Sequence, residues 1–298
     1  MLEKFCLDKN IKLKKDYDFG SLHGYKTKGV VKYYVEIASK LDLVDLLKLA
    51  RGQKIKTVAC GGGSNLLIKD RFDGLFIKWI DEKIDVSDKK KFTLLKVSSG
   101  VKKSYLTDYC TQSSLSGLEF WSGIPGLVGG GTAMNAGAYC IQGQDCIAQV
   151  QIATPEGIIK KASKDLEWDY RKIKIPEYSV IVSTMFILEK SKEDQIRKLC
   201  DEYIKDREQK HPLEFPSCGS VFKNPSSKQT DKGAWWLIRE AGLSGFSIGG
   251  AKVSEKHTNF IINAGGATSS DVISLIAEIK KRVKAKFNIQ LEEEVKIF

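Results

Sequence analysis

The sequence predicts an α+β protein whose strands are largely antiparallel, and three observations carry that expectation. From about residue 90 onward, short strand-like runs at 93–98, 149–154, 157–160 and 179–188 appear without the regular intervening helices of repeated βαβ units. Two segments, 61–65 and 117–139, are rich in glycine, and the second stays apolar, with Glu119 as its single charged residue. A strongly periodic helix over 192–209 is closed by Pro212 and Pro216, which open a new unit.

The elements follow in order. Ser39-Lys40-Leu41-Asp42 has the form of a capping box. Leu43, Leu46, Leu47 and Ala50 then recur at helical spacing, predicting a helix that stops near Gly52. Thr57-Val58-Ala59-Cys60 reads as a short buried strand running into a glycine turn, with Leu66-Leu67-Ile68 and Gly74-Leu75-Phe76-Ile77 as further strands. A helix around 103–113 interrupts the later strands. The helix at 192–209 gathers Ile196, Leu199, Cys200, Tyr203 and Ile204 on one face. The last helix starts from a Ser269 or Ser270 cap and runs through Val272, Leu275, Ile276, Ile279 and Val283. Asn288-Ile289-Gln290-Leu291 begins a C-terminal strand.

A length of 298 residues accommodates two or three compact units, and 42% hydrophobic with 29% charged residues is the composition of a soluble globular protein. No apolar run approaches a membrane span, and Met1-Leu2-Glu3-Lys4-Phe5-Cys6 lacks the apolar core of a signal peptide. Seven cysteines without a CxxC pair, and three scattered histidines, argue against a zinc site and for reduced thiols in a cytoplasm. The net charge of +11 is spread through 12–15, 89–91, 160–164 and 280–286, with no nucleic-acid-binding motif. It suits a diffuse basic surface that draws in phosphorylated small molecules.

Several motifs have both a chemical and a plain reading. Gly61-Gly62-Gly63-Ser64-Asn65 lacks the spacing of a GxGxxG fingerprint, yet successive backbone N–H groups can form an anion nest; a hairpin turn is the plain alternative. The seven glycines of 117–139 suit backbone wrapped tightly around a flat or anionic group, and two such segments can clasp a dinucleotide. Pro216-Ser217-Cys218-Gly219-Ser220-Val221-Phe222-Lys223-Asn224-Pro225 has no GxSxG elbow, so Ser220 is a proton donor or a turn serine rather than a hydrolase nucleophile. Arg171, after Asp169-Tyr170, reads by default as a surface ion-pair partner, and the run Glu292-Glu293-Glu294 as solvated. Alternation sends Glu292 and Glu294 to one face and Glu293 to the other.

In their joint order these motifs resemble the UDP-N-acetylenolpyruvoylglucosamine reductase (MurB) family. The matching pieces are Gly63-Ser64-Asn65-Leu66-Leu67, Gly123-Ile124-Pro125-Gly126 through Gly129-Gly130 to Met134-Asn135-Ala136-Gly137-Ala138, and Tyr170-Arg171. They continue with Gly219 to Pro225, Ile248-Gly249-Gly250-Ala251, Ser254-Glu255-Lys256-His257 and Leu291-Glu292-Glu293-Glu294-Val295. The absence of an obvious insertion resembles the shorter subtype.

The resemblance implies an α+β, two-subdomain FAD-binding fold of the vanillyl-alcohol-oxidase type at 1–80 and 81–191, followed by a substrate domain at 192–298. It assigns FAD to Gly61, Gly62, Gly63, Ser64, Asn65, Gly123, Ile124, Pro125, Gly126, Gly129, Gly130, Asn135, Ala136 and Gly137. It carries catalytic roles to Arg171, Ser220 and Glu294, with Glu292 as the alternative carboxylate, and substrate contacts to Lys223 and Asn224. The implied reaction is NADPH-dependent reduction of UDP-N-acetylglucosamine enolpyruvate to UDP-N-acetylmuramate in peptidoglycan precursor synthesis. The implied protein is a cytoplasmic monomer with no metal, nucleic-acid or membrane partner. The rivals are an FAD oxidase or dehydrogenase of the same fold acting on another substrate, and a non-catalytic nucleotide or nucleic-acid binder.

Overall fold

The computed structural model describes residues 1–20 and 22–298. Its first elements are α1 (Leu2–Asp8), β1 (Leu13–Asp18), β2 (Val30–Ile37), α2 (Lys40–Gly52), β3 (Thr57–Cys60), β4 (Leu66–Leu67), β5 (Arg71–Trp79), β6 (Ile84–Asp88) and β7 (Thr93–Ser98). Next come α3 (Lys103–Gln112), β8 (Leu115–Ser116), α4 (Val128–Ala133), β9 (Gly137–Ala138), β10 (Ile141–Gln142), β11 (Ile147–Thr154), β12 (Gly157–Ala162), β13 (Trp168–Asp169), β14 (Lys172–Ile173) and β15 (Val180–Lys190). The chain ends with α5 (Glu193–Lys210), α6 (Ala234–Glu240), β16 (Ser247–Ile248), β17 (Ala251–Val253), β18 (Ile261–Asn263), α7 (Ser269–Phe287) and β19 (Lys296–Ile297).

Two compact units divide these elements. The first comprises Met1–Lys15, Lys32–Gly62 and Asp73–Asp206. Its principal sheet is antiparallel, in the order β12-β11-β15-β7-β6, with β8 also paired to β15. A second sheet runs β1-β2-β5-β3, and its β3·β5 pair is parallel. The predicted stripe of α2, Leu43, Leu46, Leu47 and Ala50, is wholly buried and shares one core with Val35, Ile37, Leu75, Ile77, Ala153, Val180 and Val182. Burying each large aliphatic side chain is worth about 1.5–3 kcal/mol. The Ser39 hydroxyl accepts from the Asp42 N–H, but the Asp42 carboxylate pairs with Lys9 at 2.9 Å, so only half of the expected capping box forms. A second core gathers Leu95, Val97, Leu106, Phe120, Trp121 and Phe186.

The second unit comprises Asp16–Val31, Gly63–Phe72 and Arg207–Phe298. Its core is α7, which buries Val272, Leu275, Ile276, Ile279 and Val283, packed with Tyr25, Leu67, Val221, Phe222 and Leu237. Strands β16, β17 and β18 form an antiparallel meander, and β19 pairs parallel with β4.

Three expectations are corrected. The last helix is capped by Thr268, not by a serine, because Thr268 and Asp271 form a reciprocal capping box. Residues 288–291 form no strand; regular pairing waits until Lys296, with an isolated bridge at Glu293 before it. On α5, Ile196 and Cys200 are buried but Ile204 is exposed, so the apolar face ends one turn early. The glycine-rich stretch also contains a helix, α4, of sequence Val-Gly-Gly-Gly-Thr-Ala. Intrinsic propensity disfavours it, and tertiary placement overrides that preference.

Candidate active site

In the first unit, the two glycine-rich segments meet. A Cβ at Gly62 would lie 3.4 Å from the Gly126 Cα, and one at Gly61 would lie 3.7 Å from the Leu127 Cβ. Between them opens a cleft walled by Cys60, Gly61, Trp79, Ser99, Leu127, Gly129 and Gly130, with Ile175, Val180 and Ile181 beyond. Gly129 is there because nothing larger fits: its Cβ would fall 2.6 Å from the Ser99 Cβ. Gly130 is there for room, since a Cβ would meet nothing within 4 Å. The Ser99 hydroxyl is buried in this wall without a protein partner, so a bound polar ligand can satisfy it. Burial pushes the Cys60 thiol up to about 12, which keeps that wall neutral.

Glycine backbone, a partnerless hydroxyl and apolar strand residues fit part of a dinucleotide such as FAD. The volume of about 70 Å³ takes only a portion of so large a group. Gly61, Gly129 and Gly130 line the cleft, Gly62 and Gly126 abut it, and Gly123-Ile124-Pro125 forms the turn that leads in. Sequence reasoning missed Trp79, Ser99 and Val180, whose only signal was their place at the ends of predicted strands.

Asn135, Ala136 and Gly137 have their polar groups committed within the protein. Asn135 is fully buried with φ +41, a left-handed conformation rare outside glycine. Its Nδ2 donates to Gln142 Oε1 at 3.1 Å, Gln144 Oε1 at 3.2 Å and the Asp169 carbonyl at 3.3 Å, while its Oδ1 accepts from the Gln144 N–H at 2.9 Å. The Ala136 carbonyl accepts from the Trp121 indole at 3.0 Å. Gly137 presents its carbonyl to Arg171 Nη2 at 2.9 Å. Arg171 is half-buried at φ +59, with its guanidinium 4.9 Å from the Tyr170 ring centroid. Strain of this kind persists where surrounding contacts fix it, and such sites concentrate at functional centres.

In the second unit, Ser220 and Glu294 come together. Ser220 bridges Phe260, Phe222 bridges Glu293, and the Glu294 N–H donates to the Val221 carbonyl at 2.8 Å. Asn65 Nδ2 donates to the Glu294 carbonyl at 3.2 Å, so the expected cofactor-loop residue also fixes this strand. Gly63 takes φ +71 because a Cβ would lie 2.4 Å from the Leu22 carbonyl oxygen. Asn259, to which the sequence assigned no role, clamps Phe222 through both ends of its buried amide, at 3.0 and 2.8 Å.

Glu292 and Glu293 take different partners. Glu293 pairs with Lys280 of α7 at 2.7 Å, whereas Glu292 pairs with Lys223 at 2.6 Å and is 72% exposed. Asn224 Oδ1 accepts from the Ala234 N–H at the head of α6, at 3.0 Å. Burial pushes the Cys218 thiol up to about 12, excluding a thiolate nucleophile beside Ser220. Among the described residues no group of three or more His, Cys, Asp or Glu is placed to hold a metal, and no helix is long and apolar enough to cross a membrane.

Comparison with known proteins converges on one family. Residues 31–163 match an FAD binding domain, and residues 211–298 match the C-terminal domain of UDP-N-acetylenolpyruvoylglucosamine reductase. The reductase of that name from Listeria innocua is 39% identical over 276 residues, covering 91% of this chain and 90% of the relative. That of Caldanaerobacter subterraneus subsp. tengcongensis is 37% identical over 262 residues, covering 87% and 84%. The crystal structure of UDP-N-acetylenolpyruvylglucosamine reductase from Thermus caldophilus superposes with a TM-score of 0.79 at 25% identity, covering 97% of this chain and 98% of that one.

Proposed function

We propose, from the premise that the chain belongs to the UDP-N-acetylenolpyruvoylglucosamine reductase family, that it is an FAD-containing reductase of UDP-N-acetylglucosamine enolpyruvate. Family membership rests on the relatives that match it almost end to end. The observation in the molecule that supports this reading is the cleft between the two glycine-rich segments, with its partnerless Ser99 hydroxyl. FAD held there would supply hydride transfer between NADPH and the enolpyruvyl C3.

The protein then has two tasks on the substrate, to hold negative charge and to deliver a proton. Hydride arrival at C3 leaves an enolate-like charge at C2 conjugated with the carboxylate. Arg171, a cation already fixed by Gly137 and Tyr170, is assigned to stabilise that charge; preorganisation avoids reorganising the group during the reaction. Ser220 gives its hydroxyl proton to C2, whose carbanion character makes it a stronger base than the serine alkoxide left behind. Glu294 is assigned to orient this transfer in preference to Glu292. Its backbone is hydrogen-bonded beside Ser220, whereas the Glu292 carboxylate is exposed and occupied by Lys223. Lys223 is assigned to the substrate diphosphate, for which its ammonium would exchange Glu292. We place the enzyme in the cytoplasm as a monomer, with substrate residues drawn from 192–298.

The test is the visible spectrum under anaerobic conditions. A flavin band that bleaches with NADPH and returns with UDP-N-acetylglucosamine enolpyruvate supports both half-reactions. A band that bleaches without returning overturns the substrate, and a protein that stays colourless after incubation with FAD overturns the cofactor.

A further inference from the structure

A separate cleft of the first unit has a volume of about 550 Å³, within the range of small-molecule sites. It opens between the start of α2 and the strands β6, β7 and β15, and no role assigned above uses it. Ser183 and Ser98, directly paired in the antiparallel register of the principal sheet, form its polar floor, and Gln151, paired with Ser183, continues that row beyond the lining. Directly opposed residues share a face. A register shift next to Gln151 supplies the extra residue, Val182, and such bulges re-aim side chains.

The three polar residues of this row have different partners. Ser98 Oγ accepts from the Trp79 indole at 2.9 Å and donates to the Val182 carbonyl at 3.2 Å. Gln151 accepts from Lys40 Nζ at 3.3 Å. Ser183 Oγ lines the cavity and has no partner, although the residue is only 4% exposed. Leaving a buried hydroxyl unpaired costs about 1–3 kcal/mol.

The surroundings of Ser183 favour an anion. Lys40, Lys83 and Lys96 line the cleft, and of the two lining carboxylates Asp85 is taken up by Lys96 at 3.1 Å. The cleft also includes Ser39, the N-cap of the 13-residue α2, and its first residues Lys40 and Leu41, whose N–H groups have no intrahelical acceptor. Trp79, Leu41 and Val182 add an apolar wall, so the space takes more than a bare ion.

We propose that this cleft binds a small phosphorylated organic molecule, its phosphate accepting from Ser183 Oγ, Lys40 and the first turn of α2. The site is distinct from the cofactor cleft, with which it shares only the Trp79 wall. It does not depend on which substrate the reductase takes.

The experiment is calorimetric titration of inorganic phosphate and pyrophosphate into FAD-saturated protein. Saturable binding is expected, weakened about tenfold by Ser183→Ala, the loss of one hydrogen bond to a charged group, and at least as much by Lys40→Met. Flavin content should stay unchanged in both variants, and neither should lower the melting temperature. Absence of saturable binding overturns the proposal, as does binding that persists in Lys40→Met but disappears in Lys223→Ala. Should Ser183→Ala raise the melting temperature without altering affinity, the hydroxyl is a mere packing defect and the proposal fails. Lys40→Met, on the helix surface, keeps the test decisive if the serine variant misfolds.

Discussion

The cleft proposed for the cofactor in the first unit and the adjoining Ser220 and Glu294 segments of the second are made in opposite ways. The cleft is shaped by what its residues lack: Gly61, Gly62, Gly129 and Gly130 bring backbone close and leave room. The pair is shaped by what its residues hold, with Asn65, Asn259, Lys223 and Lys280 each fastening one position of two adjacent chain segments. A cleft of the first kind should respond to added atoms, and a pair of the second kind to removed ones.

Removing one atom at the pair should give the largest effect. Ser220→Ala is expected to leave flavin reduction by NADPH intact and to slow reoxidation by the enolpyruvyl substrate about 10²–10⁴-fold, the usual worth of a positioned proton donor. Stopped-flow absorbance of the two half-reactions measures this, and equal losses in both would make Ser220 structural.

Adding atoms to the cleft should divide the two neighbouring glycines. Gly129→Val meets Ser99 and is expected to lower stability by about 1–3 kcal/mol, the cost of overpacking. Gly130→Leu has open space, so its melting temperature should hold while flavin content of the purified protein falls. A Gly130→Leu protein that keeps its full flavin complement would place the cofactor elsewhere.

A pH titration probes the interiors of the second unit. Burial holds the His257 and His23 imidazoles below their ordinary pKa. As pH falls below about 6.5, the unfolded chain takes up these protons first, so the stability present above that pH declines until the folded rings titrate. Thermal melts between neutral and mildly acidic pH should therefore show a falling midpoint, and a rising one would contradict the assignment.

The smallest effect is expected at the edge of the pair. Glu292→Gln removes an ion pair whose carboxylate is 72% exposed. Such pairs are worth about 0–1 kcal/mol, so turnover should change little. A loss as large as that of Glu294→Gln would reverse the choice of carboxylate.

The same contrast explains how much the sequence revealed. Glycine is conspicuous in a sequence, and the meeting of 61–62 with 126–127 was legible as two segments able to clasp one ligand. The period of Leu43 to Ala50 and of Val272 to Val283 likewise announced α2 and α7, because a buried helical face repeats. Ser99 and Asn259 carried no such signal: Ser99 matters through the cleft wall that the fold builds around it, and Asn259 through Phe222, remote in sequence. Asn135 was legible as part of a motif, but its hold on the 169–171 turn was not; that needs the fold to bring Asp169 alongside. The acidic run was legible as alternating, but that Glu292 meets Lys223 and Glu293 meets Lys280 depends on partners that only the folded chain brings up.

The second unit draws on three separated stretches, 16–31, 63–72 and 207–298, whereas the first has all its residues once Asp206 has been made. During synthesis the early stretches must wait, their partners still to be translated, while the first unit already has everything it needs to close. Glu294, and the strand that pairs with Leu66 and Leu67, come at the very end. A nascent chain can thus close its first unit well before the second has the residues that complete its core.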